Sequence, residues 1–200
     1  MDPQPEAPEA CQPFRLVPFV GGAGALPGPA PGDLAIGGRL AIRRSGGSAA
    51  LLQLEFELCG LAGVRLPPAG ERPRRRDGLW QHTCLEAFIG AVGQTPYWEV
   101  NLAPSGDWNV YRLSDYRQGL EVEPCFTELP FTVTRSGAAG LGLTLRLTCP
   151  LPRELAAAGA LQVGVTAVIE AEDGGLSYWA LHHPGPDADF HDRRGWLLRC

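Results

Sequence analysis

The segment Leu52-Gln53-Leu54-Glu55-Phe56-Glu57-Leu58 alternates apolar and polar residues without interruption. Successive side chains of a β-strand point to opposite faces, so this pattern predicts a strand with one buried face and one face in water. The segment Leu141-Gly142-Leu143-Thr144-Leu145-Arg146-Leu147 shows the same alternation. Both segments predict half-buried strands of the kind found in antiparallel sheets.

Similar extended runs fill most of the remaining chain, and 26 glycines and 19 prolines separate them. This spacing predicts about eleven short strands joined by turns. The predicted strands are Phe14–Val20, Leu34–Arg43, Ala49–Cys59, Leu79–Ile89, Tyr97–Ala103, Trp108–Leu113, Leu120–Phe126, Phe131–Thr134, Leu141–Thr148, Leu161–Glu170 and Ser177–Leu181. One short helix is predicted at Pro152–Ala158, with Pro152 near its first turn and Gly159 after its end. The fold class is therefore all-β, an antiparallel β-sandwich with one short helix.

A chain of 200 residues is long enough for one well-buried core. We predict a disordered tail at residues 1–13, which is acidic and rich in proline, and a single sandwich domain at residues 14–200. The glycine- and proline-rich segment Gly21–Asp33 is predicted to be a flexible connector within that domain.

The composition argues against several classes of function. A net charge of -5 and a pI near 5.4 do not suit a general nucleic-acid surface. The N-terminus lacks the basic start and apolar stretch of a secretory signal, and no apolar run approaches the ~18 residues of a membrane span. We therefore expect a cytoplasmic protein that binds neither nucleic acid nor membrane. The six cysteines lack the paired spacing of a zinc ribbon.

Candidate binding residues concentrate in three segments that hold nearly all the tryptophan and histidine, namely 79–89, 97–111 and 176–192. If the first segment is extended throughout, Trp80, His82, Glu86 and two apolar neighbours share one face. Glu99 and Asn101 also face one way together. A carboxylate such as Glu86 on a half-apolar face requires a donor, which is either an arginine partner or a ligand pocket.

These residue types suit the recognition of a sugar. A pyranose ring presents patches of C–H groups that stack on indole rings, and its hydroxyls bind carboxylates and amides. The alternative is that the tryptophans belong to the core, since large aromatic residues are common inside sandwiches. The basic run Arg74-Arg75-Arg76 has two interpretations as well, either a solvated loop or a lip that meets an anionic ligand.

Metal binding and catalysis are alternative interpretations of the third segment. It places three histidines and three aspartates within eleven residues, at His182, His183, Asp187, Asp189, His191 and Asp192. Zinc can use such ligands, but the helical HExxH pattern is absent and the loop is rich in proline and glycine. No nucleophile stands in a recognisable elbow or triad order, so we expect a binding protein rather than an enzyme.

Several motifs together resemble the DOMON-like proteins, which are bacterial stand-alone relatives of the DOMON and family 9 carbohydrate-binding module superfamily. The resemblance covers roughly residues 14–196. It rests on Leu79-Trp80-Gln81-His82-Thr83-Cys84-Leu85-Glu86-Ala87-Phe88, Tyr97-Trp98-Glu99-Val100-Asn101, Pro104-Ser105-Gly106-Asp107-Trp108 with Tyr111, Tyr116-Arg117-Gln118-Gly119, Tyr178-Trp179-Ala180-Leu181 with His183-Pro184, and Asp189-Phe190-His191. It implies an immunoglobulin-like sandwich whose relatives bind either sugars or haem.

In the sugar-binding branch, the resemblance implies a role for each candidate residue. Trp80 and Trp179 would stack on the two faces of the ligand, and Glu86 and Asn101 would bind its hydroxyls. Glu99 stands where that branch tends to place a basic residue. His82 and His183 would lie at the rim of the site.

In the haem-binding branch, methionine and histidine hold the iron, and the one methionine of this chain is Met1. A pair of histidines, His82 with His183 or His191, remains an alternative set of ligands for haem or a metal ion. A third alternative is a structural or protein-interaction domain, although the sequence indicates no particular protein partner. A sugar-binding module without a cofactor is the favoured prediction.

Overall fold

The computed structural model describes residues 11–21, 32–45, 49–70, 72–137 and 141–200. Its strands are β1 (Gln12–Arg15), β2 (Val17–Pro18), β3 (Ala35–Ser45), β4 (Ala49–Cys59), β5 (Cys84–Ala91), β6 (Tyr97–Leu102), β7 (Trp108–Leu113), β8 (Glu121–Val122), β9 (Phe131–Ser136), β10 (Gly142–Pro150), β11 (Leu161–Glu170), β12 (Leu176–Ala180) and β13 (Leu198–Arg199). The described residues also form the helix α1 (Arg153–Ala156) and 3-10 turns at Leu79–Gln81 and Arg193–Gly195.

The strands form two antiparallel sheets. The five-stranded sheet has the order β1-β3-β4-β10-β9. The eight-stranded sheet has the order β2-β12-β11-β5-β6-β7-β8, and β13 pairs with β11 outside this path. The prediction of an all-β antiparallel sandwich with one short helix is therefore confirmed.

The described residues contain thirteen strands rather than about eleven. One reason is that the predicted strand Phe14–Val20 is divided between the two sheets. Its first part, β1, pairs with β3, whereas its second part, β2, pairs with β12. The chain thus crosses from one sheet to the other near Leu16, whose side chain is buried between them.

The main core lies between the sheets, and the alternation of β4 explains how it forms. The four large apolar side chains of β4 in this core are each at most 2% exposed: Leu52, Leu54, Phe56 and Leu58. Burial of each such side chain contributes about 1.5–3 kcal/mol to folding. On the opposite face of β4, Glu55 accepts hydrogen bonds from Arg39 and Arg146. The predicted division into an apolar and a polar face is confirmed for this strand.

The eight-stranded sheet differs because β5 and β6 are buried on both faces. A second apolar cluster covers part of their outer face, and its members are Phe88, Tyr97, Tyr111, Leu113 and Trp196. Gly164 makes room for this cluster, since a Cβ there would lie 2.4 Å from Cδ1 of Trp196. The loops at 114–120 and 182–196 lie over this face. The outer face of the sheet is therefore a covered surface able to hold a cavity.

Two further predicted strands differ from the observed ones. The predicted strand Leu79–Ile89 begins only at Cys84, because Gly78 adopts a left-handed φ of 71° and starts a 3-10 turn at Leu79–Gln81. The predicted strand Leu120–Phe126 is reduced to β8, which pairs with β7 through two residues.

The predicted tail and connector fall mostly outside the described residues, which exclude 1–10 and 22–31. Gln12 and Pro13, which the sequence assigned to the tail, pair with Leu40 and Arg39 in β1. No helix in the described part of the chain has the length and apolar character needed to cross a membrane.

The basic run at residues 74–76 is packed against β7 rather than solvated throughout. The Arg75 guanidinium lies 4.4 Å from the ring centroid of Trp108 and donates to Asn109 Oδ1 at 2.8 Å. The neighbouring Arg76 forms a 3.1 Å ion pair with Asp107. The fold itself therefore uses two of these three arginines.

Candidate functional site

A cavity of about 330 Å³ lies on the outer face of the eight-stranded sheet. Its floor comes from strand residues Glu86, Phe88, Glu99, Val168 and Tyr178. Its walls come from connecting segments, through Trp80, Arg117, Leu120, Ala188, Phe190 and His191. The volume lies at the lower end of the ~300–1,000 Å³ typical of small-molecule sites. The cavity is therefore large enough for a small ligand.

The strand register brings the two acidic residues of the floor together. Glu86 of β5 lies opposite Thr166 of β11 on one side and Asn101 of β6 on the other. Glu99 lies opposite Phe88, two residues along β5 from Glu86. Opposite residues in antiparallel strands share a face, so Glu86 and Glu99 are diagonal neighbours on the outer face. The predicted shared orientation of Glu99 and Asn101 is present.

Glu86 is an acid held in a largely desolvated position. It is 2% exposed, and its Oε2 accepts a 2.9 Å hydrogen bond from Thr166 Oγ1. Burial and then the nearby Glu99 charge raise the pKa of Glu86, and the Thr166 bond opposes this only in part. The alternative of an ion pair with arginine is not found among the described residues. Glu86 is instead an acid that favours its protonated form.

Glu99 is buried beside it and is supported by an amide. Its Oε1 accepts a 2.7 Å hydrogen bond from Asn101 Nδ2. Burial raises the pKa of Glu99, while this bond and the positive charge of Arg117 oppose the rise. Asn101 is fully buried and does not line the cavity. The sequence predicted that Asn101 contacts a ligand directly. In the structure Asn101 instead orients Glu99, which does line the cavity.

Trp80 lies on the wall of the cavity, on the 3-10 turn rather than on a strand. Its side chain is exposed enough to meet a ligand, and its ring packs edge-on against Tyr111 with centroids 5.8 Å apart. Tyr111 in turn donates a 2.8 Å hydrogen bond to Asp77 Oδ1, just before the turn. The turn therefore places a partly exposed indole beside the acidic floor.

Trp179 does not face the cavity, which corrects the predicted pair of tryptophans. It is 4% exposed and packs in the core between the sheets, where its Nε1 donates to Ser177 Oγ at 3.1 Å. Because side chains alternate along β12, the preceding residue, Tyr178, takes the outward position. Tyr178 packs edge-on against Phe190, with ring centroids 6.0 Å apart. These two rings form the aromatic surface that was assigned to Trp179.

The histidines are not gathered at one site. His82 Nδ1 lies 2.9 Å from Glu170 Oε2, and His183 Nε2 lies 3.1 Å from the Val17 carbonyl oxygen. Neither residue lines the cavity, so their predicted place at its rim is not found. His191 does line it. No group of three or more histidine, cysteine or acidic side chains suited to a metal ion occurs in the described residues.

His191 is a neutral member of the cavity wall. Its Nδ1 lies 2.7 Å from the Tyr97 hydroxyl oxygen. Burial and then the charge of Arg117 lower the pKa of His191 to about 4. Burial also raises the pKa of Tyr97 to about 12. Both groups are uncharged near pH 7 and can exchange neutral hydrogen bonds.

Arg117 connects the two loops that wall the cavity. Its backbone has a left-handed φ of 52°, which is uncommon for a residue with a side chain. Its guanidinium forms a 2.8 Å ion pair with Asp189, and Tyr116 also donates to Asp189. Prediction from residue types did not assign Arg117, Phe190 or His191 to a sugar site, although their segments belong to the motifs quoted above.

Comparison with known proteins supports the fold. Neither a scan of protein-family models nor a search of curated proteins found a match. Among solved structures, the chain is similar to a crystal structure described as a "putative carbohydrate-binding protein" from Bacteroides uniformis ATCC 8492. The TM-score is 0.61 at 12% identity, and the match covers 93% of this chain and 84% of the other. At that identity the likeness establishes a shared fold.

Proposed function

We propose that this protein is a non-enzymatic binding module for a carbohydrate or a small molecule that contains a sugar, bound on the outer face of the eight-stranded sheet. The observation that carries the proposal is the position of a partly exposed Trp80 beside two buried acids, Glu86 and Glu99, in one cavity. An apolar ring beside polar groups matches the two kinds of surface that a pyranose presents.

Each group has a distinct role in the proposed complex. The indole of Trp80 and the rings of Tyr178 and Phe190 contact the C–H faces of the sugar. Glu86 and Glu99 bind its hydroxyls, and a carboxyl group kept protonated by burial can donate as well as accept. Because the sheet holds both acids in place before the ligand arrives, little ordering is needed on binding.

The similarity to the Bacteroides protein is consistent with this proposal, since that protein's description refers to carbohydrate binding. The finer assignment to the DOMON-like group rests on the sequence motifs. Two of its implied ligand residues, Trp80 and Glu86, line the cavity, whereas the aromatic partner is Tyr178 in place of Trp179. Binding without catalysis is proposed because the description of the Bacteroides protein refers to binding alone; two carboxyl groups in one cavity could also cleave a sugar, so the test measures cleavage as well.

The test is isothermal titration calorimetry with neutral and amino monosaccharides and disaccharides. The Trp80→Ala variant is compared with Phe131→Ala, which removes a half-buried ring from β9 in the other sheet. We expect at least one sugar to bind the parent and Phe131→Ala equally, and to bind Trp80→Ala at least tenfold more weakly.

Three outcomes contradict the proposal. They are the absence of binding by any sugar, equal binding by Trp80→Ala, and the release of cleaved sugar during incubation. A Soret absorption band after incubation with haem, lost in His82→Ala or His191→Ala, would favour the haem alternative instead.

A further inference from the structure

The two acids on the cavity floor each retain one unused acceptor. Thr166 donates a hydrogen bond to Glu86 Oε2, and Asn101 donates one to Glu99 Oε1. Glu86 Oε1 and Glu99 Oε2 accept no hydrogen bond from any residue that the structure describes, although both side chains are more than nine-tenths buried. Both oxygens keep some accessible surface and belong to residues that line the cavity, so they leave two places for donors from a ligand.

The protein also supplies no dedicated positive charge to these acids. Neither Glu86 nor Glu99 forms an ion pair within the described ranges. The guanidinium of Arg117 is engaged by Asp189 at 2.8 Å. His191 is neutral near pH 7, because burial and the Arg117 charge lower its pKa to about 4. The Cys84 thiol beside the acids has a pKa raised by burial and then by the charges of Glu86 and Glu99, and is neutral as well. A ligand cation would therefore meet two acids that have no ion-pair partner among the described residues, and the charge of Arg117, which lowers the pKa of Glu99, is the nearby positive charge it must outweigh.

The aromatic part of the cavity wall also favours a cation. Aromatic rings from Trp80, Phe88, Tyr178 and Phe190 line the same cavity. The negative face of an aromatic ring attracts an ammonium group, with about 0.5–2 kcal/mol gained depending on desolvation. Aromatic walls and a carboxylate floor together suit a group that is positively charged and attached to an apolar ring face.

We propose that the ligand is an amino sugar whose primary ammonium group binds Glu86 Oε1 and Glu99 Oε2. A primary ammonium has three donors and can satisfy both open acceptors, whereas a quaternary ammonium has none. Folding has already removed most of the water from the two side chains, which are 2% and 4% exposed, so much of the desolvation cost of binding falls on the amine. This inference rests on the proposed function, since it names the class of sugar that the same cavity takes.

The test compares matched sugars that differ at one position. Glucose, glucosamine and N-acetylglucosamine share a ring, and among them glucosamine alone carries a positive charge; the galactose series provides a second set. Titrations at pH 6 keep the amine protonated. We expect the amino sugar of at least one set to bind about tenfold or more tightly than both of its neutral counterparts.

A second readout is the release of protons. Because burial and the Glu99 charge raise the pKa of Glu86 to about 8, Glu86 holds a proton in the free protein at pH 6. Formation of an ammonium–carboxylate pair displaces that proton, and calorimetry in two buffers of different ionisation enthalpy measures it. We expect close to one proton released with the amino sugar and close to none with the neutral sugar.

Variants assign the effect to the two acids. Glu86→Gln and Glu99→Gln keep the size of the side chain and an oxygen for Thr166 or Asn101, and each is expected to reduce the preference for the amine to threefold or less. The control is Glu123→Gln, since Glu123 is also buried but accepts from Trp98 Nε1 outside the cavity. The control is expected to keep the full preference.

The possible outcomes separate this inference from the proposed function. If neutral sugars bind as tightly as amino sugars, the inference is wrong and the sugar-binding proposal stands. If no sugar binds, both the inference and the sugar-binding proposal are wrong. Binding of methylammonium, a simple amine without a sugar ring, would not change that conclusion. If the preference for the amine persists in both glutamine variants, the acids do not form the ammonium site and the inference is wrong.

Discussion

Tyr97 and His191 are joined by a 2.7 Å hydrogen bond between the hydroxyl oxygen and Nδ1. Tyr97 belongs to β6, and His191 belongs to the loop that forms one wall of the cavity. Tyr97 also accepts a 3.2 Å hydrogen bond from the backbone N–H of Arg117, which belongs to the other loop of the cavity wall. One phenol therefore anchors both loops to the sheet, and the integrity of the cavity depends on it.

This arrangement predicts a loss of stability in acid. The pKa of His191 is about 4 in the fold against 6.5 for free histidine, so the unfolded chain binds the extra proton between these values. Stability should therefore fall as the pH decreases from about 6.5 to 4, by about 3 kcal/mol from this residue. Urea denaturation of the parent and of His191→Gln across this range measures the effect. Parallel stability curves for the two proteins would contradict it.

The opposite dependence is expected for Glu86. Its pKa is raised by burial and by Glu99, so the folded state holds a proton that the unfolded chain has released. That contribution is complete below the ordinary pKa of glutamic acid and is lost as the pH rises through the raised value. Glu86→Gln should gain at least about 1 kcal/mol over the parent between pH 5 and pH 9, or about 2–4 °C in Tm.

Thermal denaturation at several pH values checks this prediction. The matched control is Glu57→Gln, which removes an exposed carboxylate from β4. Its stability relative to the parent should change little over the same range. If Glu86→Gln is less stable than the parent at pH 9, the prediction is wrong. That result would show that the fold stabilises the ionised form of Glu86.

Trp80 and Trp179, which the sequence predicted to stack on one ligand, should differ in how far their replacement by alanine destabilises the protein. Trp179 is buried in the core, and Trp179→Ala is expected to cost about 3–5 kcal/mol. Trp80 is 37% exposed, so Trp80→Ala should cost less than half as much while weakening sugar binding at least tenfold. Chemical denaturation and calorimetry of both variants test this. Equal destabilisation would show that Trp80 is a core residue.

Adjacent arginines in the basic run offer a matched pair. Arg75 stacks on Trp108 and donates to Asn109 and to the carbonyls of Glu123 and Phe126. Arg75→Ala should therefore cost about 2–3 kcal/mol, since it removes a cation–π contact and leaves partly buried acceptors unpaired.

The control is Arg74→Ala, which removes an exposed side chain; the backbone N–H of Arg74, which donates to Asp107, remains. Its expected cost is within about 0.5 kcal/mol. Urea denaturation measures both variants. If Arg74→Ala is the more destabilising change, the assignment of a structural role to Arg75 is wrong.

Local alternation was sufficient to predict the class of fold. In β4 and β10, the period of two places leucines on one face and polar residues on the other, and only pairing into sheets buries that face. The same rule correctly placed Glu99 and Asn101 on one face of β6. It failed at Trp80, because the left-handed Gly78 interrupts the strand with a 3-10 turn.

The amino-acid sequence by itself determined an antiparallel sandwich and the acidic and aromatic residues from which a site could form. Tertiary structure alone decided that Trp179 turns inward and Tyr178 outward, that Asn101 supports Glu99, and that the loops at 114–120 and 182–196 close over the sheet. The physical reason is that alternation specifies two faces of a strand but not which face the other sheet covers. Long-range pairing, such as that of Thr166 with Glu86 across eighty residues, makes that choice.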